Sequence, residues 1–100
     1  MTRVRFTSAP PSVVASGHAD HGRKGEDIVC AALSTLMFTL PAALKRCGID
    51  MRFSSGDGFF SVRAMPSPEQ RKSAETVFAT VRAMVEILSR QYPENITIIH

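Results

Sequence analysis

The sequence has few of the residues that mark several large classes of protein. It contains 2 cysteines and 1 tyrosine in 100 residues, and its basic residues never form a run longer than two. Two cysteines without a secretory signal argue for reduced thiols and against a disulfide framework. Residues 1–6 carry charges with no apolar stretch behind them, so we expect no signal peptide. Short basic runs and a single tyrosine predict no direct binding of nucleic acid.

Long hydrophobic runs are also missing from the sequence. No segment approaches the ~18 consecutive apolar residues of a membrane span, so the pattern predicts no membrane association. The chain is nevertheless 44% hydrophobic, which excludes a disordered protein. One hundred residues have room for one core, and we therefore predict a single cytoplasmic domain over residues 1–100.

The hydrophobic periodicity predicts an α+β fold with the element order ββαββαβ. Alternating segments indicate strands over residues 2–6, 12–16, 49–53, 59–64 and 96–99. One apolar helix is expected from Asp27 to a stop at Gly48, and a second from Ser67 to Pro93. Pro41 predicts a kink near residues 37–38 or a short second helix. Two amphipathic helices on hairpin-joined strands favour a largely antiparallel sheet packed by helices.

The segment from Gly17 to Cys30 is the most informative part of the chain. A Gly-His pair ends a predicted strand, a polar loop follows, and the loop opens onto the first helix. With Asp27 as the N-cap, Cys30 is the third helical residue, where free backbone N–H groups and the helix dipole favour a thiolate. His18, returned by the loop, is placed to act as its base. The pattern thus predicts a cysteine nucleophile, with N–H groups near Cys30 and of Gly17 holding the oxyanion.

Each of these residues also has a structural interpretation. Cys30 fits a small buried core residue, and His18 fits a strand end bonded to backbone. Asp27 is either a helix cap or the carboxylate that orients the imidazole. Ser34, one turn beyond Cys30, either faces the same cleft or bonds back to a helical carbonyl. Gly17 permits a close approach of another backbone segment in either case.

The loop before the first helix carries two further predictions. Its residues Asp20, His21, Gly22 and Gly25 have no periodic pattern, and we expect a mobile segment that closes over an extended peptide. His21 together with His18, Cys30 and Cys47 supplies zinc-ligand types. Their spacings match no compact zinc framework, so we predict no metal and no cofactor.

The motif resembles the signature of a known family. Residues 17–19 (GHA) and 25–34 (GEDIVCAALS) are similar to the ribosomal-processing cysteine protease family, Prp, and the element order and residues 92–96 (YPENI) agree with it. The resemblance implies a compact protein, commonly a homodimer. It further implies an enzyme that removes a short N-terminal extension from large-subunit ribosomal protein twenty-seven, cutting after a phenylalanine pair. By position, the resemblance assigns the following roles: nucleophile Cys30, base His18, supporting residues Asp27, Ser34 and Gly17.

Two other functions remain open at the level of sequence. A ribosome-associated module that grips a peptide or RNA without cutting it is supported by the basic balance and by cations along the second helix, namely Arg71, Lys72, Arg82 and Arg90. A zinc-dependent or redox switch would use the same histidines and cysteines. A nucleophilic Cys30 is distinguished from both by fast alkylation near neutral pH.

Overall fold

The protein is represented by a computed structural model that describes residues 1–19 and 27–99. The described chain forms five strands and two long helices, which confirms the α+β class and the order ββαββαβ. The elements are β1 (Thr2–Ser8), β2 (Pro11–Ser16), α1 (Ile28–Arg46), β3 (Asp50–Gly56), β4 (Phe59–Met65), a short 3-10 helix (Pro68–Gln70), α2 (Arg71–Gln91) and β5 (Ile96–Ile99). The predicted mobile loop with Asp20, His21, Gly22 and Gly25 lies outside the described residues. One of the four residues proposed as zinc ligands, His21, is therefore not described.

The five strands form one sheet in the order β3-β4-β2-β1-β5. Three of the four pairings are antiparallel and only β1 with β5 is parallel, as a largely antiparallel sheet requires. In the β2–β4 ladder Ser16 lies opposite Phe59. The chain leaving β2 therefore emerges beside the turn that joins β3 to β4, and this juxtaposition builds the functional site.

The start of α1 is determined by Asp27. Its backbone is extended, and its Oδ1 accepts hydrogen bonds from the backbone N–H groups of Val29 and Cys30, both at 2.9 Å. A carboxylate that satisfies two amides of the first turn is a strong N-cap. The predicted cap and the third helical position of Cys30 are both confirmed.

At its other end α1 runs unbroken to the predicted glycine stop. Gly48 has φ +68°, and the N–H groups of Gly48 and Ile49 donate to the carbonyls of Lys45 and Leu44, the pattern of a Schellman cap. The expectation of a second helix at Pro41 is wrong, because one helix continues through it. Pro41 is buried, and core packing along this face offsets the backbone hydrogen bond that proline lacks.

The length of α1 corrects a second expectation. Its 19 residues are long and apolar enough, by composition alone, to cross a membrane, contrary to the prediction that no segment reaches that limit. Intervening polar residues had hidden this property in the sequence. The helix instead uses its apolar side within the fold, where Val29, Leu33, Leu40 and Leu44 are buried against the sheet. Core helices of soluble proteins can be equally long and apolar.

Both helices cover the same face of the sheet. Alternate strand residues point towards them and are buried, among them Val4, Val13 and Val62. The apolar stripe of α2 is used in this core through Ala74, Phe78, Val81 and Val85. The opposite face of the sheet is covered by no other element of the described chain, and we refer to it as the open face.

Candidate active site

A cavity of about 770 Å³ lies where the N-terminus of α1 meets the ends of β2, β3 and β4. The five residues predicted for the site, Gly17, His18, Asp27, Cys30 and Ser34, all line it. The structure therefore brings together the two halves of the motif that are separated in sequence by the loop. Further lining comes from the β3–β4 turn and from Phe38 on α1.

Cys30 is exposed on the first turn of α1. The alternative of a buried core cysteine is wrong, because Val29 and Leu33 occupy the core-facing positions of this turn instead. The second cysteine, Cys47, is also free and exposed, but it caps the opposite end of the same helix. The two thiols thus lie at opposite ends of one helix, and Cys30 is the one that lines the cavity.

His18 is held by backbone anchors on both sides. The N–H of Gly17 donates to the carbonyl oxygen of Gly58 at 2.9 Å, which ties the end of β2 to the β3–β4 turn. On the other side, the side-chain amide of Asn95 donates to the carbonyl oxygen of buried Ala19 at 2.7 Å. The backbone that carries the imidazole is therefore positioned by segments 40 and more residues away.

The two-residue turn Asp57-Gly58 faces the imidazole directly. Oδ1 of Asp57 lies 3.8 Å from Nε2 of His18, and both side chains are more than half exposed, at 78% and 55%. At this distance the carboxylate attracts an imidazolium through water-screened electrostatics. The ring also sits over Gly58, where an added Cβ would lie 2.8 Å from Nε2. The sequence predicts the strands on either side of this turn but no role for it, and nothing local in the sequence indicates that it meets His18.

The first-turn amides near Cys30 are largely occupied by Asp27. Besides the two bonds to its carboxylate, the N–H of Ala31 donates to its backbone oxygen at 3.0 Å. The N–H of Gly17 is bonded to Gly58, so the expectation that it holds an oxyanion is wrong for this conformation. Among the described residues, the N–H of Ile28 is the donor of the first turn that has no partner.

We expect substitutions of Asp27 to separate its capping role from an orienting role. Asp27→Ala should lower the free energy of unfolding by about 1 kcal/mol, whereas Asp27→Asn should leave it nearly unchanged, because asparagine caps equally well. Since the carboxylate is used as a cap, we also expect the Asn variant to retain proteolysis. Urea unfolding and a cleavage assay on both variants measure this. A stable but inactive Asn variant would instead indicate that the carboxylate of Asp27 orients the imidazole of His18.

Ser34 lines the cavity one turn beyond Cys30 and is exposed. Its hydroxyl makes no hydrogen bond with any described residue, so the alternative of a bond to a helical carbonyl is wrong. The neighbouring Thr35 forms such a bond instead, to the carbonyl of Ala31 at 3.0 Å. Ser34 is therefore free to donate or accept within the cavity.

Comparison with known proteins identifies the family. A family model described as cysteine protease Prp matches residues 1–97 of this chain. The chain belongs to the Prp family. It is accordingly a cysteine protease, and a thiol is required somewhere in its active site.

Prp proteins of Staphylococcus aureus and Bacillus subtilis are similar to this chain. The ribosomal processing cysteine protease Prp of Staphylococcus aureus is 30% identical over 89 residues, covering 84% of this chain and 80% of its own length. The corresponding protein of Bacillus subtilis is 25% identical over 88 residues, covering 83% and 79%.

Solved Prp structures share the fold over nearly their whole length. The S. aureus protease in complex with a covalently linked product peptide superimposes with a TM-score of 0.85 at 27% identity, covering 98% of this chain and 97% of that one. Its complex with a substrate peptide gives 0.81 at 25% identity, covering 99% and 98%. These Prp structures bind peptides, which agrees with an open cavity in this chain.

Proposed function

We propose that this protein is a cytoplasmic endopeptidase that removes an N-terminal extension from large-subunit ribosomal protein twenty-seven. We assign Cys30 as the nucleophile and His18 as the general base and acid. The observation that supports this assignment most directly is that an exposed thiol on the first turn of α1 and an anchored imidazole line one cavity. The relatives named above are ribosomal processing proteases, which supports a ribosomal protein as substrate. A homodimer remains a prediction.

The proposed chemistry needs only groups that line the cavity. His18 takes the proton of Cys30, and the thiolate attacks the scissile carbonyl to form a tetrahedral oxyanion. The imidazolium then gives that proton to the leaving amine, and the C–N bond breaks to leave a thioester on Cys30. Water, deprotonated by His18, attacks the thioester and releases the carboxylate and the thiol. Asp57 stabilises the imidazolium that exists between these steps.

An aromatic cluster beside the cavity supports cleavage after phenylalanine. Phe38, Phe53 and Phe60 contact one another edge-on or tilted, with ring centroids 5.2–5.8 Å apart. Phe38 also lines the cavity, yet Phe38 and Phe53 remain 48% and 45% exposed. An aromatic substrate side chain that covers these rings gains apolar burial and edge-to-face contact together. A charged side chain at the same place gains neither.

The edge of the sheet supports an extended peptide substrate. β3 is an outer strand, so one of its edges pairs with no strand of the described chain. Its last residues, Ser55 and Gly56, line the cavity. A peptide laid along this edge adds a strand through backbone hydrogen bonds and carries its scissile bond towards the helix N-terminus. Backbone pairing of this kind favours a flexible terminal extension over a folded segment.

The proposal is tested with the natural substrate. The host's ribosomal protein twenty-seven is incubated with the enzyme and read by intact mass, beside a version in which the phenylalanine pair is replaced by alanines. We expect loss of the N-terminal extension from the first and at least a tenfold slower loss from the second, since a buried aromatic ring is worth about 1.5–3 kcal/mol. Equal cleavage of both would overturn the preference for phenylalanine. No cleavage of either would overturn the substrate.

A further inference from the structure

The open face of the sheet gathers basic residues that are dispersed in the sequence. Strand pairing places Arg52 directly opposite Arg63, while Arg3 and Arg5 lie on the same face of β1. The neighbours of these arginines along each strand, such as Val4 and Val62, point to the helices and are fully buried. All four arginines are exposed. The sheet thus concentrates charge on the face that the helices leave uncovered.

The open face carries a net positive charge, and its arginines form no ion pairs with carboxylates of the described residues. The five strands contain four arginines and a single acidic residue, Asp50 at the beginning of β3, so the sheet carries as much net charge as the whole chain, +3. None of the four guanidinium groups forms an ion pair with a carboxylate in residues 1–19 or 27–99. Like charges directly opposite in a sheet destabilise it, as Arg52 and Arg63 do here. A bound anion relieves that repulsion.

Many of the other side chains of the open face suit a nucleic acid, and the face also carries two exposed apolar residues, Val14 and Met65, at 42% and 44%. Between the arginines lie small hydroxyl residues, namely Ser12, Ser16, Ser54, Ser61, Thr7 and Thr97. From the strand spacing and the rise per residue, the arginines span roughly 20 Å along a diagonal of the sheet. Phe59 is on the same face and is 44% exposed. Guanidinium groups and hydroxyls bind phosphates, and an exposed aromatic ring stacks on an unpaired base.

We propose that the open face binds single-stranded RNA through its phosphate backbone. Phe59 also borders the cavity that contains Cys30, so RNA bound here lies beside the active site without filling it. A second copy of the chain is a poor occupant, because a two-fold contact would set arginines against arginines. The homodimer expected from the family resemblance therefore needs another surface. The proposal does not depend on the cleavage chemistry, since no arginine of this face touches the proposed dyad.

The test measures the salt dependence of RNA binding. A fluorescein-labelled, unstructured RNA of 20 nucleotides is titrated with the full chain at several salt concentrations and followed by anisotropy. If all four arginines contact phosphates, log K against log salt should have a slope of about −3. The double variant Arg52→Gln with Arg63→Gln should halve this slope and weaken binding about tenfold at low salt. Thermal unfolding of the variant should show no loss of stability, because both positions are exposed and repel each other.

A matched control removes two other cations. Arg71→Gln with Lys72→Gln changes the net charge equally but alters the first turn of α2, the surface that the sequence had suggested for binding. We expect it to bind RNA as the unmodified chain does.

No RNA binding at low salt would overturn the proposal. An equal loss of binding in both double variants would also overturn it, because it would show that binding depends on net charge alone. Binding only to vesicles of phosphatidylglycerol and phosphatidylcholine, run in parallel, would also overturn it in favour of a membrane. RNA binding by the Cys30→Ala chain should be unchanged. The RNA-binding result is therefore independent of whether Cys30 is the nucleophile.

Discussion

Cys30→Ala should abolish proteolysis while leaving the fold intact. Loss of the nucleophile from a protease that forms an acyl-enzyme lowers kcat by a factor on the order of 10⁶. Because Cys30 is exposed and alanine suits a helical position, we expect the free energy of unfolding to change by less than about 0.5 kcal/mol. The measurement is substrate cleavage by intact mass, alongside urea unfolding of the same samples.

The second cysteine supplies the control for this prediction. Cys47 is equally free and exposed but caps the negative end of α1. Cys47→Ala should therefore retain full activity. In the unmodified protein, iodoacetamide at neutral pH should label Cys30 about ten times faster than Cys47, because His18 lines the same cavity as Cys30 and can take its proton, whereas Cys47 lies at the other end of α1. Residual cleavage by Cys30→Ala, or faster labelling of Cys47, would contradict the assignment of the nucleophile.

Features that depend on neighbours in sequence could be predicted well. Asp27 is predictable as a cap because its side chain reaches amides two and three residues ahead. Gly48 is predictable as a stop because glycine readily adopts the positive φ that ends the helix. Gln70 accepts the N–H of Ser67 at 3.0 Å, as a capping pair should, although the first turn is a separate 3-10 helix. These interactions span at most a few residues, so local patterns determine them.

Features that depend on strand register could not be predicted. His18 meets Asp57 only because β2 pairs with β4 and ends beside its turn. Arg52 and Arg63 are 11 residues apart and become neighbours only through the β3–β4 ladder. Runs of adjacent cations in the sequence do not reveal such a cluster, because a sheet brings together alternate residues of different strands. The second helix expected at Pro41 is wrong for a different reason, because the buried proline packs in the core while α1 continues through it.

The contact between His18 and Gly58 leads to the second large effect, which we expect from Gly58→Ala. The backbone there has φ +68°, and a Cβ would lie 2.8 Å from Nε2 and 3.3 Å from Cε1 of the imidazole. The ring stands at the end of a rotatable side chain, so it should swing aside and the fold should persist. Displacement of a catalytic group by about 1 Å costs on the order of 10² in rate. We therefore expect kcat to fall about a hundredfold.

The matched control for this variant is Gly48→Ala. Gly48 has the same φ of +68°, but a Cβ there meets no atom within 4 Å. Both variants should lose about 1–2 kcal/mol of stability from left-handed backbone strain, as measured by urea unfolding. Only Gly58→Ala should lose activity, and its Cys30 should also be alkylated more slowly, because the thiol has lost its base. Full activity in both variants would mean that the imidazole does not react from its position over Gly58. A loss of activity in both would trace the effect to stability, since strain is all that the two substitutions share.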